Sequence, residues 1–178
     1  MKIKKYCKVA IILLNEKEVL DFAGGRFLTP AISKYFDENM KDLKGEFYRG
    51  MLFPVHRIKK GEILEEWHQC GHWSLDINQA AKFAYDNYIN DEYYEELCDE
   101  IGKENVKFVP VVFKTDEITG VELYKLLEQY DSDEIRAYGE EKEITTIGFD
   151  CVMTDDLKEE ETTYGKVLLI NVKPCVSK

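Results

Sequence analysis

The stretch Glu141-Lys142-Glu143-Ile144-Thr145-Thr146-Ile147, with Phe149-Asp150-Cys151-Val152-Met153-Thr154 and Lys166-Val167-Leu168-Leu169-Ile170-Asn171-Val172 after it, decides the fold class. These runs read as strands, at about Glu141 to Ile147, Phe149 to Thr154 and Lys166 to Val172. Working back, Tyr130 to Glu140 is a polar loop ending in Tyr138-Gly139, preceded by a helix at about Val121 to Gln129. Val106 to Phe113 is a continuous apolar strand candidate, and Glu92 to Lys103 an acidic, tyrosine-bearing helix. Asp76 is an N-cap with Gln79 three residues on as its capping-box partner. Ile77, Ala80, Ala81, Ala84 and Tyr88 follow it at helical spacing. Glu65 to Ser74 and Glu46 to Leu52 read as strands.

The first 45 residues form a helical section. Gly24-Gly25 breaks it, and Pro30 opens a helix running to about Lys44, where Gly45 is the expected stop. Helices come early and strands dominate late, so the expectation is α+β rather than an alternating βαβ order. The chain of 178 residues fits one domain, with 1–45 as its helical N-terminal section and 46–178 as its core.

Apolar residues make up 44% and charged residues 33%, a globular composition. The net charge of −11 argues against sequence-independent nucleic-acid binding, which needs clustered cations to displace counterions. It fits a basic protein partner better. The five cysteines are odd in number and show no CxxC spacing, so reduced thiols in a cytosol are expected, with no disulfide framework or thiolate zinc site. Lys2, Lys4, Lys5 and Lys8 precede the apolar run Val9 to Leu14. That run lacks a small-residue cleavage site after it and reads as a buried segment rather than a signal peptide. No stretch is long enough to span a bilayer.

Three segments stand out together: Tyr48-Arg49-Gly50 on a strand, Trp73-Ser74-Leu75-Asp76 leading into a helix with Ala81, Phe83 and Ala84, and Glu141-Lys142-Glu143-Ile144 opening a strand. Singly, each has an ordinary reading as an edge arginine, a turn serine and a solvated charged face. In this order and spacing, from about Phe47 to the C-terminus, the chain resembles the ADP-ribosyltransferase family of the Arg-Ser-Glu, clostridial-toxin-like type. The resemblance implies a two-sheet β core with flanking helices and a reaction that moves ADP-ribose from NAD, as co-substrate, to a target protein. It names Glu143 as the carboxylate that stabilises the oxocarbenium-like ribose, and Glu141 as the residue that positions or deprotonates an arginine acceptor. Arg49 would grip the NAD diphosphate, Gly50 would let the backbone approach the nicotinamide, and Ser74 would brace Glu143. Tyr138 would touch the target.

On a regular strand Glu141 and Glu143 share one face while Lys142 turns away. His68, Cys70 and His72 would likewise share a face, but no fourth ligand is evident and no metal is expected. His56 belongs to no defensible nucleophilic triad. The chain has neither GxGxxG nor GxxxxGK[ST], and the family's nucleotide site uses no such loop. The implied setting is a toxin, effector or phage-type modifier in the cytoplasm, its own or that of a host or target cell. The rival readings are an NAD glycohydrolase and a catalytically silent relative that acts by binding.

Overall fold

A computed structural model describes residues 14–25, 28–61, 63–64, 70–139, 141–147, 150–154 and 157–174. The chain is mixed α+β. Among the described residues two helices, α1 (Glu16–Gly25) and α2 (Pro30–Asn39), precede strand β1 (Lys41–Pro54). Helix α1 ends at the glycine pair, and Pro30 opens α2, where Thr29 caps by accepting the Ile32 N–H at 3.2 Å. The expected stop at Gly45 is corrected: α2 ends at Asn39, and Gly45 lies inside β1 at a bulge between Lys44 and Phe47. The N-terminal apolar run lies outside the described residues except Leu14, which is buried.

The chain continues as β2 (Ile63–Leu64), β3 (Cys70–Ser74), α3 (Ile77–Asp86), α4 (Asp91–Ile101) and β4 (Phe108–Glu122). Then come α5 (Leu123–Leu127), α6 (Asp133–Gly139), β5 (Glu143–Ile147), β6 (Cys151–Met153), β7 (Lys158–Thr162) and β8 (Gly165–Pro174). Two expectations change here. Strand β4 runs on to Glu122 because β1 pairs with it from Lys41↔Gly120 to Pro54↔Phe108, carrying polar residues such as Thr115 and Glu117 along in the ladder, and β5 takes up Val121 and Glu122. The expected loop at Tyr130 to Glu140 contains α6, whose Ile135 is fully buried.

Among the described residues the strands pair antiparallel except β4 with β8. Strand β1 lies along β4, the end of β4 pairs with β5, β5 pairs with β3, and β3 returns to β1 at Tyr48↔Ser74, closing a ring of four. Strand β8 extends this sheet from β4 and holds β7 on its first half and β6 on its second, with β2 beyond β6.

The two faces are legible residue by residue. Val112, Tyr48 and Val167 pack under Ala80 and Ala81 of α3, while Val111, Phe113, Phe47, Trp73, Ile144 and Ile170 form the core on the other side. Burial on both faces accounts for the uninterrupted apolar run in β4. A third cluster joins α1 and α2 to α5 and α6, with Phe22 and Phe36 edge-on at 5.2 Å. Burying each of these rings contributes about 1.5–3 kcal/mol. The N-terminal section thus completes a core with the segment just before β5.

At the hinge of that segment Glu122 accepts from Lys41 Nζ at 2.5 Å, Lys125 Nζ at 2.7 Å and the Tyr124 hydroxyl at 2.8 Å. Burial alone would raise its pKa, but the bonds from Lys125, Lys41 and Tyr124 outweigh it and hold the carboxyl at about 2. A folded-state pKa below the unfolded value of about 4.3 contributes stability that is present above that value and lost as pH falls toward 2. Thermal midpoints measured from pH 6 to pH 2 are therefore expected to favour wild type over Glu122→Gln at pH 6 and to converge near pH 2. A gap that stays constant across the range would count against a charged role for Glu122.

Candidate active site

The site is built where β3 and β5 run side by side, in the register His72↔Thr145 and Ser74↔Glu143. Directly opposite residues present side chains to one face, so the pairing gathers His72, Ser74, Glu143 and Thr145 together. Strand β1 adds Tyr48, which pairs with Ser74. Glu143 is only 6% exposed, although it is the first residue of its strand. A carboxylate so placed needs hydrogen-bond donors to offset its lost hydration. Two are at hand on one oxygen: the Thr145 hydroxyl donates to Oε1 at 2.9 Å, and His72 Nδ1 lies 2.6 Å from the same atom. With Glu143 ionised the carboxylate only accepts, and the imidazole Nδ1 then carries the hydrogen.

Arg49 stands between Tyr48 and Gly50 on β1 and so faces away from α3, on the side of Phe47 and Cys151. Loss of hydration lowers its pKa to about 10, against the opposing pull of the Cys151 thiol and the Glu143 carboxylate. It remains a cation at neutral pH. Glu143 thus pairs in register with Ser74 and lies within electrostatic reach of Arg49, although Arg49 leaves β1 on the face opposite Tyr48, the residue that pairs with Ser74.

The roles of the bracing residues differ from expectation. The Ser74 hydroxyl accepts the Asp76 N–H at 3.0 Å and donates to the Glu141 carbonyl at 3.4 Å, so it secures the start of α3 and the approach to β5. It does this because a serine two residues before a backbone N–H closes a local turn. His72 and Thr145 hold the carboxylate instead. Asp76 is the N-cap and accepts the Asn78 N–H at 2.9 Å, but its own N–H goes to Ser74 in place of Gln79.

Glu141 is also corrected. It lies in a turn before β5, and Lys142 adopts a left-handed φ of 47° while donating its N–H to the Gly139 carbonyl at 3.1 Å. A left-handed residue between them breaks strand alternation, so Glu141 and Glu143 are not successive members of one strand face. Tyr138 sits on α6 and packs, partly buried, against the helical cluster rather than standing out on a loop. Gly50 makes a close approach, but to a helix: a Cβ there would lie 1.6 Å from the Ala80 carbonyl oxygen.

No family model matches the chain, and no curated protein sequence does. Of the expected histidine and cysteine cluster, His68 and the Cys70 side chain lie outside the described residues, and His72 is turned to Glu143. Among the described residues no group of three or more His, Cys, Asp and Glu side chains is placed to hold a metal ion, and no helix is long and apolar enough to cross a membrane. Sequence reasoning missed His72 and Thr145 as partners of Glu143. The signal was present in the i−2 spacing of His72 from Ser74 and the i+2 spacing of Thr145 from Glu143.

Proposed function

We propose that this chain is a mono-ADP-ribosyltransferase with an ADP-ribosyltransferase-like core, moving ADP-ribose from NAD to a target protein, with arginine as the acceptor residue. The observation that carries this reading is the buried Glu143 carboxylate, opposite Ser74 and within electrostatic reach of the Arg49 cation. Cleaving the bond between nicotinamide and ribose develops positive charge on the ribose. A carboxylate fixed beforehand in a site of low polarity stabilises that charge without having to reorganise. Thr145 and His72 supply the fixing. A guanidinium such as that of Arg49 suits the NAD diphosphate, since its planar fork matches two phosphate oxygens.

The turn at Glu141 favours weighing a second reading, the NAD glycohydrolase, because the acceptor-positioning carboxylate is not aligned on the strand beside Glu143. One experiment separates the two. Wild-type protein is incubated with NAD labelled in the adenine portion and a cell lysate, alongside Glu143→Ala. Transfer predicts a discrete labelled protein band that appears with wild type alone. Nicotinamide release without any labelled protein would replace transfer by hydrolysis. With neither product, a catalytically silent binding protein becomes the better account, and the enzyme reading is abandoned.

A further inference from the structure

The pair made by His72 and Glu143 has a direction. Glu143 is the buried partner, with a side chain 8% exposed, whereas the His72 side chain is 30% exposed. Nδ1 is committed to Glu143, and among the described residues none takes the other ring nitrogen, Nε2. A buried carboxylate on Nδ1 fixes the tautomer of a neutral imidazole, leaves Nε2 as the acceptor, and stabilises the imidazolium that forms when Nε2 takes a proton. Such an arrangement is that of a general base whose second ring nitrogen is not committed to Glu143.

We propose that His72 is the proton acceptor of this site, taking through Nε2 the proton released by the nucleophile that attacks the ribose. The inference rests on the reading of the site as one that cleaves NAD, and it assigns to His72 the deprotonation that the family resemblance implied for Glu141. The step balances as follows. A lone pair on the acceptor, a guanidine nitrogen or water, forms a bond to the anomeric carbon of the ribose. The ribose–nicotinamide C–N bond breaks, and its electron pair neutralises the pyridinium, so that nicotinamide leaves uncharged. The acceptor's proton moves to Nε2 and then to solvent. Glu143 stays ionised throughout, serving both the ribose and the imidazolium. Glu141, in its turn ahead of β5, is not required to shed or take a proton.

The substitutions that test this are His72→Asn and His72→Ala. Asparagine keeps an N–H donor near the position of Nδ1 and so preserves the bond to Glu143, but offers nothing at the position of Nε2. For His72→Asn, kcat for nicotinamide release is expected to fall about 100-fold, with KM for NAD within about threefold of wild type. Added imidazole is expected to restore activity to His72→Ala in a concentration-dependent way. If His72→Asn keeps wild-type kcat while His72→Ala does not, His72 only positions Glu143, and the base assignment is overturned. Full activity in both variants also overturns it. Wild type that releases no nicotinamide from NAD would instead overturn the reading of the site, an outcome separable from loss confined to the variants. Thermal midpoints identify any variant that fails to fold, in which case the other decides.

Discussion

Replacing Glu143 by glutamine is expected to slow nicotinamide release from NAD by about 10²–10³-fold, the range seen when one preorganised charge-stabilising group is removed from an active site. Glutamine has nearly the same shape and keeps a carbonyl oxygen for the Thr145 hydroxyl and His72 Nδ1, so the packing between β3 and β5 should survive. What disappears is the negative charge. Arg49 would also lose one of the two acidic neighbours that raise its pKa. Its value of about 10 leaves room for a further fall before the guanidinium deprotonates at neutral pH, so the loss would not arise there. Chromatographic measurement of nicotinamide, with the thermal midpoint as a control for folding, checks the prediction. A well-folded variant that works within about threefold of wild type would take Glu143 out of the chemistry.

The second large effect is structural. Gly50→Ala is expected to destabilise the protein by about 3 kcal/mol or more, at or beyond the upper end for one extra methyl group in a packed interior. A Cβ at Gly50 would meet the Ala80 carbonyl oxygen at 1.6 Å, its carbon at 2.5 Å and the Ala84 nitrogen at 3.0 Å. These are backbone atoms of α3 and cannot swing aside as a flexible side chain would, so the whole helix must lift from β1. Helix α3 is secured at its start by Asp76 and Ser74, and Ser74 is tied to Glu141 just before β5. Displacement should therefore reach the site as well as the core. Urea unfolding provides the measurement, with Gly120→Ala as a comparison in which the nearest backbone atom, the Thr145 carbonyl oxygen, would lie 2.8 Å away. If Gly50→Ala unfolds within about 1 kcal/mol of wild type, α3 does not lie on β1 as described.

Local chemistry was legible along the chain. Asp76 and the Gly24-Gly25 pair mark helix boundaries because caps and breakers act over a few residues, and both hold in the structure. The apolar face of α3 follows from its spacing, since Ala80, Ala81 and Ala84 are all buried. Where neighbours in space overrule neighbours in sequence, the reading stopped short. Lys41 to Lys44 joined β1 because β4 pairs with them, and α6 formed in a polar segment because Ile135 finds the helical cluster. Lys142 turned left-handed and took Glu141 off the strand, a choice made by the turn onto β5 rather than by any propensity of Glu-Lys-Glu.

The sequence by itself determined the α+β class, the placement of Arg49, Ser74 and Glu143 on strands or strand ends, and the helix that follows Ser74. Only the tertiary structure decided that these strands close into a ring, that His72 and Thr145 hold Glu143, and that Gly50 serves the contact with α3. The reason is physical. Propensity and periodicity describe what a segment does with its own backbone, whereas the hydrogen bonds of a buried carboxylate and the space beside a glycine are set by register between strands distant in sequence.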